Sequence, residues 1–176
     1  MRKSWHYTYL SLASKLAVDR SDHDFPVGAA VVDIYGNFVL GYNGLPRQVQ
    51  ELSDEMIIHA EMNALNNARF MPRSELKAIY VTYFPCLSCA QIIIQSGIKE
   101  VYVSRFQVNP KYEKMSKKVC SIFHKAGITL LWYDRKRDAA FVRSSMYVVD
   151  PQEYENTGPV YPGVLEKKLG PEYFLI

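Results

Sequence analysis

The sequence predicts an α/β protein with three layers, in which helices cover both faces of a five-stranded mixed sheet. Two observations carry this prediction. Short runs rich in β-branched residues alternate with segments whose apolar residues recur every three or four positions. Glycines and prolines separate these segments. Strand-helix-strand crossovers are right-handed and return the chain in the same direction, so strands two to five are expected to be parallel and strand one antiparallel.

The first elements are a helix and a β-hairpin. Residues 4–19 form the predicted helix, and its buried stripe is expected to consist of Trp5, Tyr9, Leu12, Ala13 and Leu16. Residues 27–32 and 38–42 form the first two strands. The short Gly36-Asn37 connection predicts that they pair as an antiparallel hairpin.

The remaining elements alternate between helix and strand after a loop at residues 43–58. Three further strands are predicted at residues 78–82, 101–103 and 128–132. Three further helices are predicted at residues 59–69, 87–95 and 111–125. Gly97 and Gly127 follow the last two helices and are typical helix-ending residues.

Length and composition predict one domain. The chain has 176 residues, of which 48% are hydrophobic, and residues 1–149 are expected to form the folded body. Residues 150–176, rich in proline and aromatic residues, are expected to be an extended arm of the same domain. Neither a signal peptide nor a membrane span is expected, which predicts a cytoplasmic protein without a membrane partner. The net charge of +3 suits an acidic small molecule better than polymeric nucleic acid.

Two short motifs carry the predicted chemistry: His59-Ala60-Glu61 and Pro85-Cys86-Leu87-Ser88-Cys89. Each opens a predicted helix at the edge where the parallel strands end, so the two motifs are expected to meet. His59, Cys86 and Cys89 then supply three ligands for one zinc ion and leave a fourth position for water, whose pKa zinc lowers toward about 7. Glu61 is placed to carry the proton of that water to a substrate nitrogen, and the amino-bearing carbon of cytosine is a natural target.

Other interpretations of these residues remain open. The Cys-x-x-Cys pair alone also occurs in redox sites and in closed structural zinc sites, for which Cys120 and His124 could supply further ligands. A zinc-stabilised binding module without catalysis would leave Glu61 without a role. A core position is the preferred interpretation of Cys120.

Several runs together resemble the cytidine and deoxycytidylate (dCMP) deaminases over residues 3–132. The pattern His-x-Glu followed by Pro-Cys-x-x-Cys is the known signature of zinc-dependent base deaminases. The similar runs are Pro26-Val27-Gly28-Ala29, Gly41-Tyr42-Asn43-Gly44, His59-Ala60-Glu61-Met62-Asn63-Ala64 and Pro85-Cys86-Leu87-Ser88-Cys89-Ala90. Within the superfamily the chain is most similar to the dCMP deaminases, which implies a cytidine-deaminase-like fold.

The resemblance implies a function and two substrate contacts. It implies hydrolysis of dCMP to dUMP and ammonia with one catalytic zinc ion, which supplies dUMP for thymidylate synthesis. It also implies that Asn43 contacts the sugar and that the backbone of Ala60 recognises the base. Relatives are commonly homo-oligomers, often hexamers, regulated by dCTP and dTTP. Residues 44–58 contain no cysteine or histidine, so a second, structural zinc is not expected.

A 5′-phosphate requires a cation, for which Arg105 is the first candidate because it follows the fourth strand at the same sheet edge. Lys111 and Arg47 are the alternatives. Deamination of a free nucleoside or base, or of dCTP as well as dCMP, remains the main rival function. A deaminase of tRNA or single-stranded DNA is less favoured, because such a protein needs an electropositive groove for a polymer.

Overall fold

A six-stranded sheet with helices on both faces forms the part of the chain that the computed structural model describes, residues 2–49, 54–104 and 110–142. The helices are α1 (Trp5–Arg20), α2 (Ala60–Asn67), α3 (Leu87–Ser96) and α4 (Pro110–Lys125). The strands are β1 (Gly28–Asp33), β2 (Phe38–Tyr42), β3 (Leu76–Val81), β4 (Glu100–Val103), β5 (Thr129–Asp134) and β6 (Ala139–Val142). None of the described helices combines the length and apolarity needed to cross a bilayer.

The strand order in the sheet is β2-β1-β3-β4-β5-β6. Strand β1 is antiparallel to both β2 and β3, while β3, β4 and β5 are parallel to one another. Strands two to five therefore run in one direction and strand one runs against them, which confirms the predicted fold class. The structure adds one strand to the predicted five: β6 pairs antiparallel with β5 at the edge of the sheet.

One face of the sheet carries the larger core, against which α2, α3 and α4 pack. Alternate residues of β3 and β4 point to this face, which is the period-two pattern of a strand. They meet Ala64 from α2, Ile93 from α3 and Phe123 from α4 in a single buried cluster. The two helices that begin at the predicted motifs, α2 and α3, thus lie on the same face of the sheet.

Helix α1 covers the opposite face, through a different stripe from the predicted one. Its buried residues are Tyr9, Leu10, Ala13 and Ala17, whereas Trp5 and Leu12 are 62% and 39% exposed. The expectation that Trp5 and Leu12 are buried was wrong. The reason is a close approach: a Cβ atom on Gly28 would lie 2.0 Å from the Ala13 carbonyl oxygen. A small residue is therefore needed at Ala13, so the buried stripe runs through Leu10, Ala13 and Ala17 and leaves Leu12 on the outer face of the helix.

The turn between β5 and β6 is tied to the start of α1. The amide of Ser4, which caps α1, donates to Asp138 Oδ2 at 2.9 Å. The Ser4 and Tyr133 hydroxyls both donate to Asp138 Oδ1. These hydrogen bonds lower the pKa of Asp138 to about 2, and the one from the Ser4 side chain has the largest effect. The predicted arm at residues 150–176 lies outside the described residues.

Candidate metal centre

The first half of the site is the start of α2, which is seated directly on β2. His59 is the N-cap residue of this helix. A Cβ atom on Gly41 of β2 would lie 2.3 Å from the Ala64 nitrogen, so only glycine permits this approach. Asn63 strengthens the contact, because its Nδ2 donates to the Tyr42 carbonyl at 2.8 Å. The position of His59 is therefore fixed by the packing of α2 on the end of β2.

The second half is the start of α3. Cys86 is the N-cap residue of α3, and its Sγ accepts a hydrogen bond from the Cys89 amide at 3.5 Å. The helix ends at Gly97, whose φ of 87° is the left-handed conformation common at helix ends. The neighbouring Pro85 is fully buried, and α3 packs on the core through Ile93. Both sulfurs are thus held at the N-terminus of a helix.

The structure brings together the three side chains that the sequence predicts as metal ligands. His59 Nδ1 lies 3.5 Å from Cys86 Sγ and 3.3 Å from Cys89 Sγ, and the three ligand atoms all lie within 4.8 Å of one another. A tetrahedral zinc ion with ordinary bond lengths holds a nitrogen and a sulfur ligand about 3.6 Å apart. His59, Cys86 and Cys89 therefore fit a single zinc site, in which three protein ligands leave one position open.

The thiols interact strongly with each other and with the imidazole. A hydrogen bond from the Cys89 thiol, followed by one from His59, lowers the pKa of Cys86 to about 4. Conversely, the shared hydrogen bond and burial raise the pKa of Cys89. The hydrogen bond with Cys86 raises the pKa of His59. Cys86 is therefore the thiol that ionises most readily, and it lies at a helix N-terminus, where a thiolate is stabilised.

Glu61 lies in the first turn of α2 and is only 4% exposed. Burial raises the pKa of its carboxyl group, while a hydrogen bond from its own backbone amide, the charge of His59 and a hydrogen bond with the Cys89 side chain work in the opposite direction. A buried carboxyl group with these opposing influences, next to a set of metal ligands, is suited to accepting and releasing a proton.

Asn43 and Ala60, the two predicted substrate contacts, lie at the same sheet edge. Ala60 is the first residue of α2, so its backbone N–H has no hydrogen-bond acceptor within the helix. Asn43 directly follows β2 and is 5% exposed. Its side chain binds the segment between α1 and β1: Oδ1 accepts from the Val27 amide and the Ser21 hydroxyl, both at 2.8 Å.

Sequence reasoning missed this role of Ser21 and the aromatic pair beside it. Asn43 Nδ2 donates to the carbonyl of Phe25 at 2.9 Å, and the Phe25 ring meets the Tyr83 ring edge-on at 4.4 Å between centroids. The only sequence signal for Ser21 was its position as a polar residue at the end of α1. Aromatic residues on two loops give no periodic pattern from which their contact could have been predicted.

The remaining candidates fall outside the metal centre. Within the described ranges, neither Cys120 nor His124 joins a group that could hold a metal ion. Arg105 lies outside the described residues, as does the side chain of Lys111. Arg47 is exposed on the loop after Asn43.

Comparisons with known proteins agree with this geometry. A family model described as the cytidine and deoxycytidylate deaminase zinc-binding region matches residues 3–105. A probable deoxycytidylate deaminase of Caenorhabditis elegans is 34% identical over 110 residues, which make up 55% of this chain and 55% of that relative. ComE operon protein 2 of Bacillus subtilis is 33% identical over 73% of this chain and 71% of its own length. The human deoxycytidylate deaminase is 30% identical over 71% of this chain and 77% of its own length.

The fold is also similar to that of solved structures. A dCMP deaminase from the cyanophage S-TIM5, in complex with dCMP and dUMP, superposes with a TM-score of 0.59 at 25% identity. The superposition covers 75% of this chain and 98% of the phage protein. The chain spans about half the length of the nematode relative, but nearly the whole of the phage enzyme.

Proposed function

This chain belongs to the cytidine and deoxycytidylate deaminase family, and we propose that it is an enzyme that hydrolyses dCMP to dUMP and ammonia. The observation that carries the proposal is the convergence of His59 Nδ1 and the sulfurs of Cys86 and Cys89 beside the buried carboxyl group of Glu61. The names of the relatives and the dCMP and dUMP bound to the phage enzyme support dCMP as the substrate.

Each residue of the centre has a distinct role in this proposal. His59, Cys86 and Cys89 hold the zinc ion, which when bound acts as a Lewis acid that makes water nucleophilic near neutral pH. Glu61 accepts a proton from the water as the water oxygen bonds to C4, and it delivers that proton to the ring nitrogen next to C4. It then carries the second proton, from the new C4 hydroxyl group, to the amino nitrogen. The bond between C4 and the amino nitrogen breaks, ammonia leaves, and the C4 oxygen becomes the carbonyl of uracil. Because Glu61 is shielded from solvent, the proton it holds is not exchanged freely with bulk water.

Substrate recognition uses the rest of the same edge. Asn43 binds the sugar, and the amide of Ala60 at the start of α2 binds the base. Arg105 binds the 5′-phosphate: it directly follows Ser104, whose amide donates to the Val81 carbonyl at 3.0 Å where β3 and β4 end. A guanidinium group at this position can bind a phosphate through two parallel hydrogen bonds.

The proposal includes the setting in which the protein works. It acts in the cytoplasm, where reducing conditions keep two unpaired thiols available as ligands. It is a homo-oligomer, with dCTP and dTTP as candidate effectors. The resemblance to dCMP deaminases supports the oligomer and the effectors. Light scattering of the purified chain, with and without each nucleotide, tests both.

One assay tests the reaction and its substrate. Ammonia release is measured for dCMP, dCTP, deoxycytidine, cytosine and a cytosine-containing single-stranded oligonucleotide. We expect turnover of dCMP to exceed that of the others, to disappear on chelation and to return when zinc is added. Faster turnover of deoxycytidine would make the protein a nucleoside deaminase. Faster turnover of the oligonucleotide would overturn the mononucleotide assignment.

A further inference from the structure

The amide group of Asn43 is held in one orientation by three neighbours. Its Oδ1 accepts from the Val27 amide and from the Ser21 hydroxyl, and its Nδ2 donates to the Phe25 carbonyl. Rotating the amide by half a turn would place Nδ2 against the Val27 N–H and Oδ1 against the Phe25 oxygen. Both contacts would be repulsive in a site that is 5% exposed.

Ser21 is itself held in place. It is the C-cap residue of α1, and its own amide donates to the Ala17 carbonyl at 2.9 Å. The His23 amide donates to Ser21 Oγ at 3.2 Å. The hydroxyl proton of Ser21 therefore points toward Asn43, where the backbone oxygen and Oδ1 both lie at 2.8 Å. The end of α1 thus anchors both oxygens of Asn43, while Val27 and Phe25 set which way its amide group faces.

This arrangement limits what Asn43 can offer a ligand. An amide group has two N–H donors and one oxygen acceptor. Oδ1 accepts one hydrogen bond from Val27 and shares the single Ser21 proton with the Asn43 backbone oxygen, and one N–H is used by Phe25. The second Nδ2 proton is therefore the group left for a ligand, and a substrate oxygen that meets Nδ2 accepts a hydrogen bond from it.

We propose that Ser21 is a positioning residue that holds Asn43 as a hydrogen-bond donor to the free hydroxyl oxygen of the substrate sugar. The proposal rests on the proposed function, because it assumes that dCMP is the substrate. It adds two points to that function. Ser21 acts through Asn43, and in the hydrogen bond between Asn43 and the sugar the sugar oxygen is the acceptor. The sugar of dCMP carries a single free hydroxyl group, so its 2′,3′-dideoxy analogue lacks this acceptor.

The test compares Ser21→Ala with the wild type on dCMP and on its 2′,3′-dideoxy analogue. On dCMP we expect KM to rise about three- to tenfold, the range for one hydrogen bond, with kcat and zinc content within about twofold of the wild type. On the dideoxy analogue we expect the same KM for both proteins, because there is no acceptor to misplace. Ser21→Thr keeps the hydroxyl and should restore the wild-type KM. Ser14→Ala, elsewhere on α1, is the matched control.

The outcomes separate the inference from the proposed function. An unchanged KM of Ser21→Ala on dCMP, or an equal rise on both substrates, overturns the positioning role. A wild-type protein that does not deaminate dCMP overturns the proposed function instead. Should Ser21→Ala fail to fold, Ser21→Cys gives the same comparison, since a thiol has a similar shape but is a much weaker hydrogen-bond donor. A loss confined to dCMP supports the positioning role, and equal losses on both substrates exclude it.

Discussion

The Glu61 side chain combines burial with a hydrogen bond to the Cys89 side chain, an environment that a structural surface acid does not need. We predict that Glu61→Gln keeps about one zinc per chain but lowers kcat on dCMP by at least about 100-fold, because an amide cannot accept and release the proton. Metal analysis and ammonia release measure the two quantities. Glu75→Gln, at the amino end of β3, is the control. Substantial activity in Glu61→Gln would remove this residue from the reaction.

A second prediction at this scale concerns the phosphate. Arg105→Ala should raise KM for dCMP by at least about tenfold, because a charged hydrogen-bond donor is lost, while turnover of deoxycytidine changes little. Steady-state kinetics on both substrates measure the difference. Arg73→Ala is the control: it removes an arginine that precedes β3, at the amino end of that strand, and it should leave the turnover of both substrates unchanged. Equal losses on dCMP and deoxycytidine in Arg105→Ala would place Arg105 away from the phosphate.

The residues of the metal centre could be predicted because their chemistry and spacing are both visible in the sequence. An imidazole and two thiols at successive helix starts must meet if the strands before them are parallel. Ser21 could not be predicted in the same way. Its contact with Asn43 depends on the conformation of the segment between α1 and β1, and the periodicity of helices and strands does not predict the conformation of such a segment.

At the scale of elements, the helix and strand positions followed the sequence patterns closely, but two features did not. Strand β6 has only four residues and follows a tight turn in which Asp138 has a φ of 52°. Its sequence pattern is too short to be distinguished from that of a loop. On α1 the alternation of large and small residues was misleading. Alanines occupy the contact because the backbones of α1 and β1 approach closely at Gly28, a distance that composition does not encode.

The close approach of α2 and β2 allows a test of how this packing supports the metal. We predict that Gly41→Ala lowers the free energy of unfolding by about 1–3 kcal/mol and also weakens zinc binding, because the added methyl group pushes away the helix that begins at His59. Gly28→Ala is the comparison: it is similarly crowded, but by α1, which carries no ligand. Denaturant unfolding and zinc titration distinguish them. Equal zinc affinity in the two variants would contradict this account.

At the scale of the whole molecule, the metal ligands add a link between α2 and α3, two helices that pack in the same core on one sheet face. A bound ion should therefore stabilise the fold as well as permit turnover. We predict that chelation abolishes ammonia release and lowers the melting temperature by about 5 °C or more. Zinc should restore both properties and magnesium neither, since thiolate ligands disfavour magnesium. Calorimetry with parallel activity assays would detect the contrary result, an active protein without metal.

The contact between Asp138 and the start of α1 predicts a pH dependence of stability. The folded-state pKa of about 2 lies below the ordinary value of 3.8, so the contribution of this group is present near neutral pH and is lost as pH falls from about 4 toward 2. Asp138→Asn should therefore be less stable than the wild type at pH 7, and the difference should shrink below pH 4. Asparagine also tolerates the left-handed backbone here.

Denaturant unfolding between pH 7 and pH 3 measures this difference. Asp19→Asn, at an exposed position on α1 paired with Lys15, is the control and should show little change across the range. A constant difference between Asp138→Asn and the wild type at all pH values would show that charge is not the cause.

The hydrogen bonds of Asn43 have a thermodynamic consequence. They fasten residues 21–27 to the sheet edge through contacts within the chain itself. The conformational entropy of this segment is therefore lost when the chain folds, and an arriving molecule does not have to order it again. The heat-capacity change on ligand binding should then reflect only the surface that the ligand itself covers, as for a preformed site rather than for a loop that folds on binding.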